Sequence, residues 1–128
     1  MAVSAQFLEY VLGQLSMLRD ITSRRMFGAV GLYEDGVFFG LISGDVLYFK
    51  VGDTNRSDYE ARGMSQFCPY RDRPRVSMSY YEVPADVLED AEECVVWARR
   101  SVIAASVKHQ GRSSRSPKPI RRRQRGMR

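Results

Sequence analysis

Two short turn signals constrain the fold more than anything else in the chain. Glu34-Asp35-Gly36 and Ser43-Gly44-Asp45 each separate runs rich in apolar and aromatic residues. Asp-Gly and Ser-Gly supply the positive φ that tight hairpin turns require. Arg25–Tyr33, Val37–Ile42 and Val46–Val51 therefore read as three strands of an antiparallel meander. Gly28 and Gly31 fall inside the first run, where a bulge or close backbone packing would account for them.

Helical periodicity flanks this meander. Over residues 4–18, Phe7, Val11, Leu15 and Leu18 recur on one face and Leu8 and Leu12 widen it, with Ser4 as N-cap. A short helix is predicted from Thr54 to Arg62, closed by Gly63 in a left-handed conformation with Met64 in contact behind it. Two more strands follow, Ser65–Tyr70, weakened by Pro69, and Val76–Val83, with the polar turn Arg71–Arg75 between them. Pro84 opens a turn or short helix to Leu88. A last helix is predicted from Ala91 to Lys108, where Asp90 and Glu93 have capping-box spacing and Val95, Ala98, Val102 and Ala105 form a stripe. The expected fold is α+β in two layers, an antiparallel sheet of about five strands packed by helices, in the order α-β-β-β-α-β-β-α.

Charge divides the chain. Of its 20 basic residues, nine lie in 108–128, which holds no acid, leaving eleven against all 15 acids in 1–107 for a net of −4. From Gln110 onward Gly, Ser and Pro alternate with arginine and no apolar pattern persists. Such a segment cannot bury enough apolar surface to offset its ordering entropy. The reading is a domain over 1–108 and a disordered basic tail over 109–128. Arg115, Lys118, Arg121, Arg122, Arg123, Arg125 and Arg128 can each neutralise a phosphate, giving nonspecific, salt-dependent contact with nucleic acid. Solubilising the chain, or meeting the acidic body, is the alternative use of the same charges.

The ingredients of catalysis are sparse. His109 is the single histidine, at the end of the last predicted helix, and a triad or histidine metal site needs several groups on one scaffold. Cys68 and Cys94 lack C-x-x-C spacing and read as free structural thiols. Gly28-Ala29-Val30-Gly31 matches no phosphate-binding loop, and Glu89, Asp90, Glu92 and Glu93 are explained by helix capping. An enzyme would have to assemble Arg25, Tyr80 or Tyr81 and Cys68 without any evident nucleophile–base pair. No cofactor is implied. Arg24 and Arg25, with Tyr80 and Tyr81, are the candidate surface recognition residues of the body; the tyrosines, being adjacent in a strand, point to opposite faces. No run of about 18 apolar residues exists for a membrane span and no secretion signal is visible, so a reducing cytoplasm is expected.

Several of these segments share a pattern. Arg25-Met26-Phe27-Gly28-Ala29-Val30-Gly31-Leu32-Tyr33 resembles the opening of the TfoX N-terminal domain family. Asp35–Phe39, Leu47–Val51, Asn55-Arg56, Tyr59–Gly63, Val76–Pro84 and Trp97-Ala98-Arg99 continue the likeness in order, over roughly residues 7–105. The resemblance implies a compact two-layer α+β domain and a link to competence regulation, since full-length members act as positive regulators of competence genes; those members carry a second, C-terminal helical domain. With the basic tail in that second domain's place, the expected function is a non-enzymatic regulatory module with an unidentified protein partner and nonspecific nucleic-acid contact. A homodimeric or ligand-binding domain is the alternative.

Overall fold

The first helix, α1 (Ala5–Gln14), begins where the sequence places it: Ser4 Oγ accepts the Phe7 N–H at 3.1 Å. It ends at Leu15, earlier than the predicted Leu18, yet Val11, Leu15 and Leu18 all bury toward the core. These details come from a computed structural model that describes residues 3–26, 28–68 and 79–114, the stretch from 107 onward as backbone alone.

The sheet has five antiparallel strands in sequence order: β1 (Ile21–Met26), β2 (Ala29–Glu34), β3 (Val37–Ser43), β4 (Val46–Lys50) and β5 (Tyr80–Glu82). The predicted first strand, Arg25–Tyr33, is in fact a hairpin. Met26 pairs with Ala29, and Gly28 takes φ +80° to reverse the chain between them. The missed strand, β1, is an edge whose Thr22, Ser23, Arg24 and Arg25 are exposed, so it carries none of the apolar alternation that marks a half-buried strand. The next two turns follow the sequence reading. Asp35 and Gly36 have φ +51° and +83°, and Gly44 and Asp45 have +58° and +57°, the paired positive values of a tight hairpin. Between β2 and β3 the register shifts at Leu32/Tyr33, which places an extra residue, Phe39, in the core.

The second half departs further from expectation. Helix α2 (Arg56–Glu60) is shorter than predicted, and Gly63 ends its turn at φ +67° with Met64 packed against the core. Of the predicted strand Ser65–Tyr70, the described residues 65–68 supply a bridge at Gln66 to Tyr81, with Phe67 N–H donating to Tyr80 O at 2.7 Å, beside β5. Pro69, Tyr70, the Arg71–Arg75 turn and the predicted strand residues Val76, Ser77 and Met78 lie outside the described residues. Two helices then follow, α3 (Ala85–Glu89) and α4 (Ala91–Ser114). The element order is α-β-β-β-β-α-β-α-α rather than the expected one, within the same α+β, five-stranded architecture. Asp90 Oδ1 accepts the N–H groups of Glu92 and Glu93, capping α4, whose backbone continues past the predicted end at Lys108 to Ser114. Residues 115–128, including the arginines singled out for phosphate contact, lie outside the described residues.

All helices pack on one face of the sheet. Val30, Leu32, Ile42, Leu47, Phe49 and Val51 meet Val11 of α1, Leu15 at its C-cap, and Cys94, Val95, Trp97 and Ala98 of α4 in one core. Gly40 is required there: a Cβ would sit 2.9 Å from Tyr48 O and 3.0 Å from the Phe49 ring. Tyr59 of α2 stands edge-on to Trp97, centroids 4.9 Å apart. Gln14 Nε2 donating to Leu88 O at 2.7 Å ties α1 to α3.

Candidate functional site

Strand pairing decides what the other face carries. Tyr33 pairs with Phe38, and Lys50 with Tyr80, and none of these belongs to the helix-side core. Their rings form a continuous row. The Arg24 guanidinium lies 5.7 Å from the Tyr33 centroid, Tyr33 is 5.1 Å from Phe38, Phe38 is 5.6 Å from Tyr80, and the Lys50 ammonium is 5.2 Å from Tyr80. A cation thus closes each end of a three-ring row, the arrangement that a ring's negative face favours. Tyr48 and Phe67 make a second pair on this face, 4.8 Å apart. Gly31 makes room beneath, since a Cβ would come within 2.7 Å of Met26 Cε.

The candidate recognition residues separate along these faces. Arg24 and Tyr80 share the aromatic row, though at opposite edges of the sheet. Arg25 is exposed on the other side of β1, and Tyr81 points into the helix layer, 5.8 Å from Tyr59. Tyr80 is no surface residue: it is 5% exposed, and burial pushes its phenol up to about 12. The sequence foresaw that the two tyrosines diverge; it could not show that Phe38 and Tyr33 would close over one of them.

Lys50 joins the row to a second feature. Its side chain is buried, and Nζ donates to Ser79 Oγ at 2.6 Å. Beside it lies a cavity of about 460 Å³ whose wall also includes Thr54, Arg56 and Ala104. The loop there is held by Asn55, which is 1% exposed. Asn55 Oδ1 accepts the Gly52 N–H at 2.7 Å and Nδ2 donates to Lys50 O at 3.1 Å. Gly52 passes close to α4, where a Cβ would lie 3.2 Å from that of Ala104. Arg56 donates to Asp53 through one nitrogen, at 3.0 Å.

The remaining candidates are set apart. Cys94 is buried, which pushes its thiol up to about 12 and leaves it unreactive, while Cys68 is exposed with Sγ 3.7 Å from Gln66 O. Both are free thiols. The His109 side chain lies outside the described residues. Among the described residues no three His, Cys, Asp or Glu are grouped to hold a metal ion, and no helix is long and apolar enough to cross a membrane.

Comparison with known proteins fits this architecture. No curated protein matches the chain. The model of the TfoX N-terminal domain matches residues 13–105, a span that opens within α1 and closes in α4 and takes in the whole sheet, the Lys50–Ser79 contact and the Asn55 clamp. The chain belongs to the TfoX N-terminal domain family.

Proposed function

We propose that this chain is a regulatory interaction module that works by holding other macromolecules rather than by turning over a substrate. Its folded domain engages a protein partner, and its basic C-terminal segment keeps that assembly near nucleic acid through phosphate contacts without reading sequence. Family membership supports the first half, because the family is named for a competence regulator. The second half is carried by one observation, the separation of charge: nine cations and no acid in 108–128, against a net of −4 in 1–107. An acidic body repels a phosphate backbone, so attraction has to come from the tail.

Fluorescence anisotropy of a labelled duplex, measured across a salt series, tests this reading. Seven cations lie beyond Ser114. On full-length protein, log K should fall with log salt at a slope no steeper than about −6, from roughly 0.9 counterions released per phosphate neutralised. A chain ending at Ser114 should lose nearly all binding at low salt. Equal affinity and slope for the two chains would place the contact in the folded body and overturn the assignment.

A further inference from the structure

We infer that the cavity beside Lys50 is a binding site for a small phosphate monoester, independent of the tail's contact with nucleic acid. Several donors line it: Lys50 brings a buried ammonium, Arg56 a guanidinium, and Thr54 and Ser79 hydroxyls. An ammonium can only donate, so in the Lys50–Ser79 contact the Ser79 oxygen is the acceptor. The Ser79 proton is then free to be given to an oxyanion. Arg56 engages Asp53 through a single nitrogen, and its other N–H groups remain for a second partner. Among the described residues Asp53 is the one carboxylate on the wall, and its side chain is 98% exposed.

Preorganisation separates this cavity from an incidental surface dip. Asn55 ties the loop back to Lys50 and Gly52 through one buried and one part-buried hydrogen bond, so binding need not pay to order it. Most of the wall's accessible surface is apolar, with Val51 and Ala104 contributing to it, which suits an organic group attached to the phosphate. The volume, about 460 Å³, lies in the range of small-molecule sites. Three polar members of the wall, Lys50, Arg56 and Ser79, fall in the segments that carry the likeness to the TfoX N-terminal domain, and none of them is part of the helix-side core.

Phenyl phosphate titrated into full-length, isotope-labelled protein is the direct test, with inorganic phosphate and benzoate in parallel at constant ionic strength. Phenyl phosphate should shift the amide signals of Gly52, Asp53, Thr54 and Arg56 saturably, more tightly than inorganic phosphate and far more tightly than benzoate. Arg56→Gln and Thr54→Val, both outside the core, should each weaken it by about tenfold, the scale of a lost hydrogen bond to a charged group. Shifts confined to 115–128, unchanged affinity in both variants, or equal binding of benzoate would each overturn the proposal. The tail is present in every arm, so a failed DNA measurement and a failed phosphate titration are separate results.

Discussion

The two faces of the sheet are built by different chemistry. On the helix side, Val30, Leu32, Ile42, Leu47 and Val51 join two phenylalanines, Phe39 and Phe49, all at most 2% exposed. On the far side, Tyr33, Phe38 and Tyr80 line up between Arg24 and Lys50, and only Tyr80 and Lys50 of these are buried. The helix side is a close-packed core in which lost volume is costly. The far side is held by ring contacts and cations that tolerate water at their rims, and it reaches the cavity through Lys50. Apolar packing is thus concentrated on one face, while Lys50 carries the row on the other to the cavity at the sheet's end.

The largest effect should separate the two directly. Phe49→Ala removes a fully buried ring from the helix side and should cost about 3–5 kcal/mol in urea unfolding. Phe38→Ala removes a half-buried ring from the centre of the row and should cost about 1–2 kcal/mol, having less apolar area to expose. Equal losses would mean that the far face is packed as tightly as the core.

How much of this could be read from sequence follows from how local each determinant is. The hairpin turns at Asp35-Gly36 and Gly44-Asp45, the Ser4 cap and the Asp90 cap involve residues within three positions of one another, and all appear as expected. The first hairpin was misread because β1 is a polar edge and Gly28 looks like a strand glycine until its φ is known. The place of Phe39 depends on a register shift that alternation alone does not encode. The cavity was invisible for a stronger reason. Ser79 and Lys50 are 29 positions apart, and Ala104 comes from another element, so only the packing of α4 beside the end of β4 brings them together.

Alkaline pH should probe both faces at once, with a smaller effect. Burial raises Cys94 from its ordinary 9.0 to about 12 and Tyr80 from 10.0 to about 12, and drives Tyr59 higher still. The Tyr59 and Ser101 hydroxyls are both buried without a hydrogen-bond partner among the described residues, so no hydrogen bond offsets the burial of the Tyr59 phenol. In each case the unfolded chain releases its proton at a lower pH than the folded one. Stability is therefore complete below about pH 9 and falls as pH rises toward 12, by up to about 1.4 kcal/mol per pH unit for each group titrating. Urea midpoints measured from pH 8 to 11 check the slope. Tyr80→Phe keeps the ring and removes the far-face titration, so it should flatten the curve above pH 10, whereas Cys94→Ala should flatten it from pH 9. An unchanged slope in Tyr80→Phe would show water reaching that phenol and would sharpen the contrast between the faces.

The smallest effect concerns the open end of the aromatic row. Arg24 is exposed on an edge strand, so its attraction to the Tyr33 ring competes with hydration and should be worth about 0.5–1 kcal/mol. Single substitutions there mix that attraction with changed strand propensity, so the informative measurement is a double-mutant cycle of Arg24→Gln with Tyr33→Leu. The two residues are in contact across β1 and β2, and coupling of the stated size is expected in low salt. It should persist at high salt better than an ion pair would, because the ring carries no net charge to screen. Zero coupling would reduce Arg24 to a solvated edge residue. The far face would then owe its order to ring packing and to Lys50 alone, and only the cavity end of the row would stand apart from ordinary surface.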